Sequence, residues 1–379
     1  MRICISMSRA LAAGGGAAFF DMPLNSTPCT VDGCAFDAKR KALEASSIAD
    51  FGLWGGLVPG NVSEMAELAA RGVVGFKAFL CDSGLPEFPR ADDGTLFEGL
   101  QEAARLDLPV AVHAESEELT RGLARRMAAD GRLGIREFLA SRPVLAEVEA
   151  IQRATLLAEE ARAKLHIVHV SSGRGVGIAA EARARGVDVS IETCPHYLWF
   201  TEEDLERLGA IAKCAPPLRD RATRQALWKE LQRSVIDIVA SDHSPAPPEM
   251  KSVEFHRAWG GIAGVQSTLA ALLDLGYAER RLTLERIAEL VAANPARRFR
   301  IQRKGALAVG NDADLAVVDL DASFTLESGN LADRHRLSPY VGETFRAVLR
   351  RTMRRGETIY LDGSFPAEER GRFIRPFKE

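Results

Sequence analysis

Along the first three hundred residues, short apolar runs that stop on a polar residue alternate with stretches of helical periodicity. The runs are Ala17–Met22, Phe51–Val58, Val73–Leu80, Leu108–His113, Leu165–Val170, Val187–Thr193 and Val235–Ala240. They are rich in β-branched and aromatic residues and show little in/out alternation, as strands covered on both faces do. Helices are predicted between them over Ala35–Ala49, Ser63–Arg71, Thr95–Arg105, Ser116–Ala129, Val144–Ala163 and Gly177–Arg185, with Ser63 placed to cap its helix. Further helical stretches are predicted near Val265–Leu275 and Leu284–Ala293.

Strict strand–helix alternation predicts a parallel sheet with helices outside it. Seven such strands are one short of a closed barrel, so the fold class is α/β: a (β/α)8 TIM-type barrel, missing its first strand, over residues 1–300. Beyond Phe299 the pattern changes. Lys304–Leu320 and Ala347–Tyr360 are β-like pieces around glycine turns, and 301–379 is predicted to be the C-terminal part of a small β-sandwich.

Composition changes this picture little. Of 379 residues, 46% are hydrophobic and 27% charged, and the net charge is −3, so nothing points to nucleic acid or an anionic membrane as partner. The basic cluster Arg350, Arg351, Arg354, Arg355 lacks interleaved aromatic residues and is read as solvated surface. No apolar run approaches the ~18 residues of a membrane span. The six cysteines form no CxxC pair and are expected to be reduced thiols in a cytoplasmic protein.

Candidate chemistry sits where the strands end. Lys77, His113, His169 and Asp242 close the strings GFK, VAVH, HIVH and VASD. A single buried histidine is usually a satisfied core residue, and a single lysine usually points to solvent. Four such groups at the same end of four barrel strands point instead to a metal centre, since imidazole and carboxylate are zinc ligands and zinc activates water near neutral pH.

The segments RALAAGGGAAFFDMPLNSTP, GFKAFLCDSG, VAVHAESE, HIVHVSSG, VSIETCPHYLWFTEEDL, AKCAPPLR, SDHSPAPPEMK and WGGIAGVQSTL run in order from Arg9 to about Leu269. This set resembles the cyclic amidohydrolases of the amidohydrolase superfamily, which include dihydroorotase, hydantoinase, dihydropyrimidinase and allantoinase, and within them the allantoinase branch. The resemblance implies two divalent metal ions, zinc the first choice, bridged by a carboxylated Lys77. It implies that His113 and His169 ligate the second metal, and that Asp242 ligates the first and is the catalytic general base. It places Asn25, Cys214, Ser244, Gly260 and Gly261 around the substrate ring, with Glu115, His196 and His243 beside the ligands. The implied substrate is a small cyclic ureide: hydrolysis of the hydantoin ring of allantoin to allantoate. A homo-oligomer, tetramer or dimer, is expected with it.

Two departures temper that reading. No His-x-His precedes the first matching segment, although the family opens its barrel with one. The first strand is therefore expected to be encoded upstream, with unpaired edges beside Ala17–Met22 and Val235–Ala240, a first-metal site left incomplete with only Lys77 and Asp242, and little activity from the chain as written. Ala246 stands where dihydroorotases carry histidine and allantoinases cysteine. That argues against dihydroorotase but leaves hydantoinase or dihydropyrimidinase as alternatives, along with a non-catalytic scaffold of the same fold.

Overall fold

The fold is described from a computed structural model, which covers residues 2–368 and 370–377. The barrel strands are β1 (Ala18–Asp21), β2 (Asp50–Leu53), β3 (Gly55–Gly56), β4 (Phe76–Phe79), β5 (Val110–His113), β6 (Leu165–Ile167), β7 (Val189–Thr193) and β8 (Ile238–Val239). All their pairings are parallel. β1 pairs with β2, and β3 to β8 follow one another in order in a six-stranded sheet.

The predicted strand Phe51–Val58 is thus two pieces. At Trp54 the chain changes neighbour: the Trp54 N–H donates to the Asp21 carbonyl at 3.0 Å, and the Gly55 N–H donates to Gly75 at 3.0 Å. Gly56 allows the bend, because a Cβ there would lie 2.7 Å from the Phe88 ring. The predicted strand Val235–Ala240 also shortens, to Ile238–Val239. Its first part is tied to β7 through a side chain, with the Ile191 N–H donating to Asp237 Oδ2 at 2.8 Å. Helices over Pro195–Trp199, Glu202–Leu208 and Arg221–Gln232 fill a region for which the sequence reading predicted none. Local signals for two of them exist: Asp220 caps the last, and Thr201 with Asp204 forms a capping box.

Strand alternation sorts the side chains into two layers. Val110, Val112, Leu165, Ile167, Val189 and Ile191 face outward into the main core beneath the helices. Ala111, Val168 and Ile238 face inward and pack with Trp54, Val74, Phe299 and Ile301. That inner layer seats a floor of apolar residues below the strand C-termini. Among the described residues no strand lies between β1 and β8, and the sheet has its two edges there, as expected from the sequence.

Beyond the barrel, β9 (Leu315–Thr325), β10 (Thr344–Arg354) and β11 (Glu357–Leu361) form an antiparallel sheet in the order β11-β10-β9. The helix Arg2–Ala13 lies against it, and the Thr352 hydroxyl donates to the Ala12 carbonyl at 2.7 Å. The C-terminal tail returns to β2: the Phe51 N–H donates to Arg372 at 2.9 Å, and Phe373 packs on Phe36 and Phe51. Among the described residues no helix is long and apolar enough to cross a membrane. Cys29, Cys34, Cys81, Cys194 and Cys214 are free thiols.

Asp50 ties these parts together. Its buried carboxylate accepts from Lys304 Nζ at 2.7 Å, from the Arg372 N–H at 2.9 Å and from the Arg355 guanidinium. Burial alone would raise its pKa, but the Arg355 and Lys304 hydrogen bonds outweigh it and hold the group below the ordinary 3.8. Asp50→Ala is expected to destabilise the fold by about 3–5 kcal/mol at neutral pH, because Arg355 loses its carboxylate and Lys304 keeps only Asp312 and Asp314 of its three. A lowered folded pKa gives stability that is present above the unfolded value and lost as pH falls through the folded one. The gap between wild type and variant, measured by urea unfolding, should therefore narrow as pH drops below 3.8.

Candidate active site

Parallel strands present inward residues at every second position, and their last inward residues meet over the apolar floor. Lys77 on β4 and His113 at the end of β5 are both buried, and His169 lies two residues past the end of β6. Asp242 lies three residues past the end of β8. His169 and Asp242 both have φ near +43°, a left-handed turn that swings each side chain off its strand axis toward the barrel centre.

A single cavity of about 2320 Å³ is lined by all nine residues singled out from the sequence: Lys77, His113, His169, Asp242, Asn25, Cys214, Ser244, Gly260 and Gly261. It exceeds the ~300–1,000 Å³ of an ordinary ligand pocket, because it continues into the opening between β1 and β8, where Leu11, Leu315 and Val318 line it. Asn25 reaches across to Ser244, Nδ2 to Oγ, at 3.3 Å. Of the three residues expected beside the ligands, His243 also lines the cavity, while Glu115 and His196 lie behind its wall.

At the centre, His113 Nδ1 and His169 Nε2 face each other at 3.1 Å. His113 Nε2 is held at 3.0 Å by Glu115, whose carboxylate also accepts from Arg142. Burial decides the titration of four of these groups. It lowers His113, pushes His169 well down, and raises Asp242 to about 6 against the pull of Lys77. Lys77 falls to about 7, with burial outweighing the attraction of Asp242 and Glu192. Among the described residues its Nζ has no hydrogen-bond partner. Glu115 goes the other way, down to about 2, since Arg142 and His113 outweigh its own desolvation.

Among the described residues, two groups of ligand-type side chains could hold a metal ion, their donor atoms lying within 4.8 Å of one another: Cys81, His113 and Glu115, and Cys194, His196 and Asp242. In the first the Arg142 guanidinium already neutralises Glu115. The facing His113 and His169 nitrogens fit a cation better. Two donors about 2.0–2.1 Å from one ion lie roughly 3 Å apart, and Glu115 leaves the His113 Nδ1 lone pair free. The Glu115 contact makes a prediction. Glu115→Gln is expected to lower metal affinity about 10–100-fold through a disoriented His113, as loss of such outer carboxylates does. Competition with a chelator reads this directly.

Several supporting residues were not found from the sequence. Glu192, on the inward face of β7, lines the cavity and meets His166 Nε2 at 3.2 Å. Glu147 accepts from the Ser171 N–H at 2.7 Å and from both the Ser171 and Ser172 hydroxyls, which fixes the turn after His169. Arg219 donates to Ser171 Oγ at 2.9 Å and to the Arg142 carbonyl. Only Glu192 carried a readable signal, since it alternates with Ser190 along one strand face. Arg142, Glu147 and Arg219 come from outer helices and loops.

An α/β barrel with titratable groups gathered over the C-terminal ends of its strands defines a class, the barrel hydrolases whose chemistry occupies that face. The chain belongs to the amidohydrolase family, which residues 5–359 match, and members of that family generally bind divalent metals. The likeness places it among hydrolases that act on cyclic amides. An allantoinase of Solibacter usitatus is 64% identical over 97% of this chain and 81% of its own length. One of Rubrobacter xylanophilus is 56% identical over 99% of this chain and 83% of its own. Among solved structures, the L-hydantoinase (dihydropyrimidinase) of Arthrobacter aurescens superimposes with a TM-score of 0.96 at 36% identity, covering 99% of this chain and 84% of that one.

Proposed function

We propose that the cavity hydrolyses the hydantoin ring of allantoin to allantoate, with Lys77, His113, His169 and Asp242 holding two divalent metal ions, zinc the first choice. The observation that carries this reading is the Lys77 amine, buried, without a hydrogen-bond partner, and pushed down to about 7 beside two imidazoles and a carboxylate. An ammonium there would repel a cation. A neutral amine can add carbon dioxide and lose a proton, becoming a carbamate whose two anionic oxygens suit a bridging ligand. Metal ions bound at these residues would supply Lewis-acid polarisation and an acidified water.

The remaining work belongs to the side chains. Asp242 takes the proton of the attacking water as its oxygen adds to the ring carbonyl. It returns that proton to the ring nitrogen as the C–N bond breaks, giving a ureido group and a carboxylic acid that releases the second water proton to solvent and leaves as carboxylate. Asn25, Ser244 and Cys214 face the cavity with groups that can hydrogen-bond a ureide, and Gly260 and Gly261 allow backbone to approach it closely. Allantoin is favoured over other rings by identities of 64% and 56% to allantoinases, against 36% to the hydantoinase. A homo-oligomer is proposed with it, as is the division into a barrel of residues 1–300 and an appended domain of residues 301–379.

The test is turnover of allantoin, 5-substituted hydantoins, dihydropyrimidines and dihydroorotate by the chain reconstituted with zinc, cobalt or manganese in bicarbonate buffer. Allantoin should give the highest kcat/KM. Preference for another ring would replace the substrate, and no hydrolysis of any ring by protein that elemental analysis shows to hold both metal ions would end the reading.

A further inference from the structure

The segment between β8 and the helical stretch starting at Val265 walls the side of the cavity that carries Cys214, Ser244, Gly260 and Gly261. Two buried or half-buried lysines grip it from within. Lys213 Nζ donates to the carbonyls of Phe255 at 2.8 Å, His256 at 3.3 Å and Ala258 at 2.7 Å. It also lies 5.2 Å and 4.9 Å from the ring centroids of Phe138 and Phe255. Lys251 Nζ donates to the carbonyls of Ala210 at 2.9 Å, Trp259 at 2.8 Å and Gly261 at 2.7 Å.

An ammonium has three donors, and each of these finds three backbone oxygens. Neither lysine draws on a carboxylate. Burial leads the causes that lower both to about 8, and no carboxylate opposes it; only the Cys214 thiol pulls Lys251 the other way. A desolvated cation without a counter-charge is costly unless hydrogen bonds replace the lost water, and a loop held only by packing would need no such group. What the six carbonyls have in common is position: five belong to Phe255, His256, Ala258, Trp259 and Gly261, the strip leading to the ring-facing glycines.

The same strip is registered against the other walls. The Gly261 N–H donates to the carbonyl of Lys213, the neighbour of Cys214, at 2.8 Å, so Lys213 binds the loop through both backbone and side chain. Gly261 has a φ of +157°, and a Cβ on it would stand 2.5 Å from Ser244 Oγ. Spacing between the Cys214 wall and the Gly260–Gly261 wall is therefore set by direct contact and by the two carbonyl cages.

We propose that Lys213 and Lys251 are positioning residues that preform the ring-binding wall and thereby set which ring substituents the site accepts. The inference rests on the cavity being a cyclic-ureide site. Preforming a wall raises affinity by removing the ordering cost from the binding step.

The experiment compares the full metal-loaded chain with Lys213→Met and Lys251→Met, whose unbranched side chains fill the stem space, and with the milder Lys251→Gln, which keeps a donor. Hydrogen exchange of amides 255–262 should rise about ten-fold or more in the methionine variants, as loss of charged hydrogen bonds allows local opening, with β4–β6 and metal content unchanged. KM for allantoin should rise about ten-fold, with kcat kept within about three-fold, and discrimination against bulkier 5-substituted hydantoins should narrow. Lys251→Gln should fall between. Unchanged exchange in the loop, or a loosened loop with KM and discrimination unmoved, would overturn the proposal. The exchange result does not depend on turnover. A wild type that loses loop protection on substitution yet hydrolyses no cyclic ureide would overturn the reading of the cavity and not the clamp.

Discussion

Lys77→Ala is expected to cost at least about a thousand-fold in kcat/KM on a cyclic ureide, roughly 4 kcal/mol of transition-state stabilisation, together with most of the bound metal. The size follows from the residue's place. Lys77 is the one group from which both proposed ions would draw a ligand, and alanine leaves an apolar gap facing His113, His169 and Asp242. The wild-type amine makes a companion result. Its pKa of about 7, lowered by burial, means that the neutral form dominates above that pH and falls about ten-fold per unit below it. Reconstitution of metal-free protein should therefore need bicarbonate and should slow as pH drops below 7. Mass spectrometry under gentle conditions should find one carbon dioxide on wild type and none on Lys77→Ala. Full metal uptake in carbonate-free buffer, at a rate indifferent to pH, would show that Lys77 does not act as a carbamate.

Asp242→Asn should lower kcat by about 10²–10⁴-fold, the usual worth of a positioned base, with a smaller change in KM. Asparagine keeps the shape and an oxygen but cannot take a proton. The φ of +43° at this position is one that asparagine and aspartate tolerate better than most residues, so the fold should survive the change. Elemental analysis separates the two roles proposed for Asp242. Activity lost with metal retained assigns proton transfer, and activity lost in proportion to metal assigns ligation. An Asp242→Asn protein with near wild-type kcat would remove Asp242 from the chemistry.

The barrel and the centre of its site were legible in the sequence for a covalent reason. A strand points alternate residues to opposite faces, so a polar residue ending a buried strand must either face the cavity or be hidden among helices. Lys77, His113 and His169 could be placed from their own strings because the strand that carries or precedes each one sets its direction. Trp54 shows where the same logic stops. FGLWGGLV reads as one strand, yet its glycines let the chain change partners midway, from β1 to β4. Whether a run keeps one neighbour is decided by what lies beside it.

The groups that hold the site in shape had no local signature. Arg142 meets Glu115 from 27 positions away, Arg219 meets Ser171 from 48, and Lys251 meets Ala210 from 41. Each contact is made by a long flexible side chain whose target is a single carboxylate, a hydroxyl or a backbone oxygen, and many positions could have supplied it. By itself the sequence determined the seven strand runs in order and the four polar side chains at their ends, because backbone periodicity ties residue type to direction, but not the helices between β7 and β8 or the break at Trp54. Only the tertiary structure decided how the two histidines face each other, how Glu115 frees one nitrogen, and which lysines brace the glycine wall. Those are distances between segments, set by helix packing and loop closure across dozens of residues.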